Sequence, residues 1–145
     1  MPKISVWFIR IALIWLVITA IAGAMMLTTK ATGWQPRMWQ MRMPHIEAGL
    51  VGWFLLLIKG VAWYMLPRRI THDHPRGHPA LAWSSLILIN LGMILTMILP
   101  PGTFGAISGT IFYVVAIICF VIAIWPRVAS TEMLFGKRGK GKVTK

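Results

Sequence analysis

Between Arg76 and Arg127 the chain carries no lysine, arginine, aspartate or glutamate, and its one histidine there, His78, stands at the very start of the stretch. That run is more than twice the ~20 apolar residues needed to cross a bilayer. A water-facing domain cannot hide so long an uncharged segment, so the segment must cross at least twice. The first half of the chain has the same character in shorter blocks. Overall 57% of the 145 residues are hydrophobic and 12% are charged, against about 25% charged in soluble domains. The expected fold is an all-α membrane protein with four transmembrane helices.

The spans are punctuated by polar clusters. The first runs over about residues 4–27, with Trp7 and Arg10 at its start, where a ring and a snorkelling cation suit an interface. Its beginning resembles a signal peptide, but the apolar run from Ile11 through Thr29 is long for a signal core and reads as a permanent anchor. A polar connection with Lys30, Arg37, Arg42, Trp34 and Trp39 leads to a second span over 44–66, opened by Pro44. The stretch Pro67 to Pro79 is the most polar before the tail and reads as an extramembrane loop. A third span over 80–99 stops at Pro100-Pro101-Gly102, and a fourth runs over 104–125. Residues 1–127 thus form the four-helix transmembrane domain, and 128–145 a basic tail too charged and glycine-rich to pack.

Cation counts set the expected orientation. Lys3, Arg10, Arg68, Arg69, Arg76, Arg127 and the tail lysines and arginine fall on one side, against Lys30, Arg37 and Arg42 on the other. Both termini are expected to be cytoplasmic, with the tail near anionic headgroups. The net charge of +12 is therefore topology and not a nucleic-acid surface, because the cations flank apolar spans and form no groove interleaved with stacking aromatics. Cys119 stands alone in an apolar run, which excludes a disulfide framework within the chain and reads as a small buried residue.

Ionisable residues at membrane depth are costly, so the exceptions inform. The second span holds His45, Glu47 and Lys59. At 100° per residue His45, Gly49, Gly52, Leu56, Lys59 and Trp63 form one stripe, with Glu47 pointing away. Glycines beside a histidine would let a flat, wide ligand such as a porphyrin lie against the helix while the imidazole reaches its iron. The same glycines would equally admit a neighbouring helix. A lone histidine at a helix start is more often interfacial or hydrogen-bonded, Lys59 reads as a snorkelling ammonium, and Glu47 as a partner of Arg42 or Arg37.

The loop residues His72, His74 and His78 place three potential metal ligands within seven residues. Pro75 and Pro79 prevent a helix from presenting His74 and His78 together, and Arg76 adds repulsion, so a solvated turn is the favoured reading. In the third span Ser84, Ser85, Asn90 and Gly92 should face partner helices, and Gly105 and Gly109 in the fourth have the spacing of a close helix contact. With only Glu47, Asp73 and Glu132 as acids, and no nucleophile and base beside one of them, hydrolytic chemistry is not supported.

The stretch Arg42-Met43-Pro44-His45, followed after Ile46 by EAGLVGWFLLLIKGVAWYMLPRR, resembles the first two helices of heme-copper oxidase catalytic subunits (subunit I), in particular the cbb-type branch. Gly52, Gly60, Trp63, Tyr64, Pro67 and Arg68 fit that family's pattern of a glycine-bearing helix ending in aromatics and Pro-Arg. The resemblance covers about the first half of the chain. It implies that His45 is an axial ligand of a heme b, with Arg42 and either Arg37 or Trp39 near the propionates. It also implies a place in the inner (cytoplasmic) membrane of a bacterium or archaeon. The last two spans contain no histidine, so the family's oxygen-reducing site is missing and reduction of oxygen or nitric oxide by this chain alone is not expected. A second axial ligand would come from another copy, another subunit, Met25, Met26 or Met43, or be absent. The expected function is a heme b-binding, electron-transferring subunit, in a larger respiratory or photosynthetic membrane complex or as a homodimer. The alternatives are a heme-free accessory subunit and a heme-based gas or redox sensor.

Overall fold

The computed structural model describes residues 2–33, 40–66, 78–99 and 104–128. Four helices account for nearly all of them: α1 (Lys3–Thr32), α2 (Arg42–Met65), α3 (Pro79–Ile98) and α4 (Phe104–Ile124), the last followed by a short 3₁₀ turn, Trp125–Arg127. All four spans are long and apolar enough to cross a membrane. The expected stretches 34–39, 67–77, 100–103 and the tail from 129 lie outside the described residues.

The spans match their expected positions with one sizeable difference. α1 continues five residues past Leu27, to Thr32. Its closing threonines hide their polarity inside the helix: the hydroxyls of Thr28, Thr29 and Thr32 donate to the carbonyls of Ala24, Met25 and Thr28 at 3.0, 2.9 and 2.8 Å. Gly33 then ends the helix in the left-handed region (φ 70°), its N–H bonded to the Thr29 carbonyl. α2 opens at Arg42, so Pro44 falls within the first turn, where its missing N–H costs nothing.

The helices run alternately up and down. At one end Ser5 of α1 donates to the Gly60 carbonyl of α2 (2.7 Å), and the His78 N–H at the head of α3 meets the Ala123 carbonyl of α4. At the other end His45 of α2 lies against Gly23 of α1, and Gly92 of α3 against Gly109 of α4. The interior is built largely from small residues, among them Ala12, Ala48, Gly52, Gly60, Ala82 and Ala116, filled in by Phe8, Trp15, Leu56, Ile89 and Met93. Large side chains such as Ile14, Leu50, Ile87 and Ile118 point outward. That inside-out pattern suits lipid as the solvent, where close backbone approach holds helices together.

α3 and α4 make the closest contact. A Cβ on Gly92 would stand 2.8 Å from the Gly109 carbonyl oxygen and 2.7 Å from Tyr113 Cε1, and one on Gly109 would stand 2.6 Å from Thr96 Cγ2. Gly109 thus packs as its spacing predicts. Ser85, Asn90 and Gly92 face neighbours, whereas Ser84 is exposed and bonds back to its own helix at the Ala80 carbonyl.

Within α2 the residues Ala48–Leu55 form a π-helical stretch, a wider turn that rotates less per residue than the α-helix on either side. The consequence is a division of the expected stripe, with His45 and Gly49 on one surface and Gly52, Leu56, Lys59 and Trp63 turned into the bundle.

Candidate functional site

His45 sits in the first turn of α2 and rests on α1 where Gly23 leaves room: a Cβ at Gly23 would lie 3.0 Å from His45 Cε1. The two helices diverge there into a groove of about 570 Å³, lined by Thr19, Gly23, His45, Gly49, Trp53 and Phe54 among others. Among the described residues, two buried side-chain polar atoms have no hydrogen-bond partner, His45 Nδ1 and Thr19 Oγ1, and both residues line this groove. A buried polar group left unpaired costs about 1–3 kcal/mol. Both atoms are themselves shielded, so the described residues provide a partner for neither of two polar groups beside one groove.

Of the other expected site residues, Gly49 borders the groove, its missing Cβ 3.4 Å from Thr19 Cγ2. Gly52 does not. A Cβ on Gly52 would meet the Trp15 ring at 2.8 Å and Met93 Cε at 3.1 Å, so this glycine admits a neighbouring helix. Arg42 is exposed at the head of α2. Arg37 and Trp39 lie outside the described residues, as do His72 and His74; His78 is exposed where α3 begins. No group of three metal-holding side chains occurs among the described residues.

Lys59 corrects the expectation of a snorkelling cation. Only 2% of it is exposed, and its ammonium donates to Ser85 Oγ (2.9 Å) and the Ala116 carbonyl (3.2 Å) while lying 5.2 Å from the Phe120 ring centroid. Neighbouring helices enclose this part of α2, and two oxygens plus a ring face replace the water that the ammonium would otherwise seek. Arg127 is also drawn inward, stacked 3.7 Å over the Trp63 ring and bonded to the Trp63 carbonyl at 3.0 Å.

Glu47 accepts a hydrogen bond from Tyr113 Oη at 3.2 Å, and the same phenol meets Thr96 Oγ1 at 2.8 Å. That tie joins α2, α3 and α4 near the end where His45 meets α1. Sequence reasoning missed Trp15, whose Nε1–H donates to Asn90 Oδ1 at 2.9 Å while its ring fills the space above Gly52. Its signal was present, since a tryptophan mid-span must find an acceptor.

Compared with known proteins, the chain matches no family model, no curated protein and no solved structure.

Proposed function

We propose that the chain binds heme b in the α1–α2 groove through His45 and transfers electrons within a larger respiratory or photosynthetic membrane complex or as a homodimer. The observation that carries this reading is the pair of unpartnered buried polar atoms on one apolar groove, one of them on an imidazole. A neutral imidazole ligates iron without bringing a charge into hydrocarbon. The groove volume falls inside the range of about 300–1,000 Å³ typical of small-molecule and cofactor sites. Gly23 and Gly49 keep the walls beside the imidazole low, and Trp53 and Phe54 offer aromatic surface.

In this reading His45 holds the cofactor and Gly23 fixes the lateral position of its ring. Arg42, exposed at the mouth of the helix pair, supplies positive charge for carboxylate groups. When bound, the iron porphyrin supplies reversible one-electron chemistry. The groove is open on its outer side, so a second copy or another subunit would complete the enclosure and provide any second axial ligand. The orientation with both termini cytoplasmic, and residence in a bacterial or archaeal inner membrane, belong to the same proposal.

The test is a pyridine hemochrome spectrum of the purified chain. A b-type band is expected, together with its loss in His45→Ala at unchanged helical content. Heme retained by His45→Ala would refute the assignment. Gly52 favours a second reading, a heme-free accessory subunit, since that glycine serves helix contact; wild-type protein from cells replete in heme and lacking the band would select it. A gas or redox sensor would instead need an open axial position, which carbon monoxide would reveal by shifting the reduced Soret band.

A further inference from the structure

A second groove, of about 480 Å³, runs on the opposite flank of α1, between it and α3. Trp7 and Ile11 of α1 and Trp83, Ile87, Asn90 and Ile94 of α3 line it, with Trp7 47% and Trp83 37% exposed. From Trp83 to Ile94 the helix rises about 16 Å, at 1.5 Å per residue. That is close to half of the ~30 Å hydrocarbon core, the depth of a single leaflet. The two tryptophans stand together at its shallow end, where amphipathic rings meet headgroups.

Polar chemistry at the two ends differs. Asn90 is the groove's one amide, and both of its ends are engaged: Oδ1 accepts from Trp15 Nε1 and Nδ2 donates to the Leu86 carbonyl at 2.8 Å. The floor therefore presents hydrocarbon and offers little to a ligand with a polar ring. Lys3 stands four residues before Trp7, above the groove's shallow end, and Arg10 three residues after it, about one turn deeper, from where its side chain must reach back toward the headgroups; the two flank Trp7 on one side of α1 without lining the groove itself. Both cations are exposed. Neither α1 nor α3 contains an acid to neutralise them.

We infer that this groove is a binding site for an anionic phospholipid, with one acyl chain along Ile11, Ile87 and Ile94 between the two tryptophans and the phosphate at Lys3 and Arg10. The length of the groove fits one leaflet's chain, the apolar floor fits an alkyl tail, and the two exposed cations that flank Trp7, with Arg10 reaching back toward Lys3, select the headgroup charge. The site is independent of the heme reading.

Native mass spectrometry of the detergent-purified full chain tests it, with phosphatidylglycerol and phosphatidylcholine of identical acyl chains added separately. Two surface cations at about 1 kcal/mol each correspond to a preference for phosphatidylglycerol of roughly thirtyfold at the first bound lipid. Lys3→Gln with Arg10→Gln should remove most of that preference. Lys30→Gln with Arg42→Gln, which takes the same charge from the far end of the bundle, should keep it. Ile87→Trp, filling the groove, should weaken the first-bound lipid of either kind; Leu91→Phe serves if that variant loses helical content. Equal affinity of the wild type for both lipids overturns the proposal. So does a preference that survives loss of Lys3 and Arg10, one that falls equally in the far-end control, or a wild-type dimer cross-linked through the Ile87 face.

Discussion

Replacing Gly92 by alanine should cost the bundle measurable stability, although alanine is the better helix former. The new Cβ would stand 2.8 Å from the Gly109 carbonyl oxygen and 2.7 Å from Tyr113 Cε1. Ordinary contact begins near 3.4 Å, so α3 and α4 must part by roughly 0.6 Å or the tyrosine must swing away. A radial gap of about 0.5–1 Å forfeits a quarter to a half of each dispersion contact, and overpacking of this kind costs about 1–3 kcal/mol. Movement of Tyr113 also loosens its bonds to Thr96 and Glu47, at about 0.6 kcal/mol each for interhelical bonds in lipid. Against this stands the propensity gain of about 1 kcal/mol for Gly→Ala within a helix. The net expectation is a loss of about 1–3 kcal/mol, read from reversible unfolding in mixed dodecyl sulfate and maltoside micelles by far-UV circular dichroism. Gly49→Ala is the control. Its Cβ meets only Thr19 Cγ2, at 3.4 Å, so that variant should match the wild type or gain up to about 1 kcal/mol. A Gly92→Ala protein as stable as Gly49→Ala would refute the close α3–α4 contact and the ordering of α4 against α3 built on it.

Three further outcomes are expected. Ser85→Ala leaves the Lys59 ammonium short of a partner and should cost about 1–3 kcal/mol, whereas Lys59→Met removes the charge and should stay within about 1 kcal/mol of wild type; the reverse order in the same unfolding assay would count against a buried ammonium. On the proposed heme assignment, Gly23→Val, which crowds the His45 ring, should lower the heme content of the purified chain several-fold; occupancy unchanged from wild type would disconnect Gly23 from the proposed site. With Cys119→Ser, a cysteine placed at Thr144 should resist an impermeant maleimide added outside intact cells, and labelling there would overturn the proposed orientation.

The bundle was legible because hydrocarbon is a strict solvent. Long apolar runs punctuated at Pro44, Pro79 and Arg127, the last two spans free of charge altogether, place the spans with no need for tertiary knowledge. The glycine contacts were partly legible, since Gly92 and Gly109 stand out among bulky neighbours, but which glycine meets which helix depends on rotation about each axis. That rotation is where the reading of α2 went astray. A uniform 100° per residue puts Gly52 on the same surface as His45, and the wide turn at Ala48–Leu55 separates them. Lys59 was misplaced for a related reason: a long cation two turns from a helix end is ordinarily free to reach out, and only the enclosing helices show that its nearest oxygens lie inward, at Ser85 and Ala116. The groove at His45 had one visible half in the sequence, the imidazole with Gly49. Its other half, Thr19 and Gly23, comes from α1 and carries no pattern that points across to α2.

The wide turn in α2 also ties the winding of the helix to its length. Winding Ala48–Leu55 as an ordinary α-helix with no change in length would swing the half carrying His45 by about 100° relative to the half carrying Lys59 and Trp63, and one of the two would lose its neighbours. Deleting one residue there as well would cancel most of that swing, because the wider turn spends one extra residue on the same rotation. The segment behaves as a coupling between two sockets cut at different angles, so its winding and its residue count must change together.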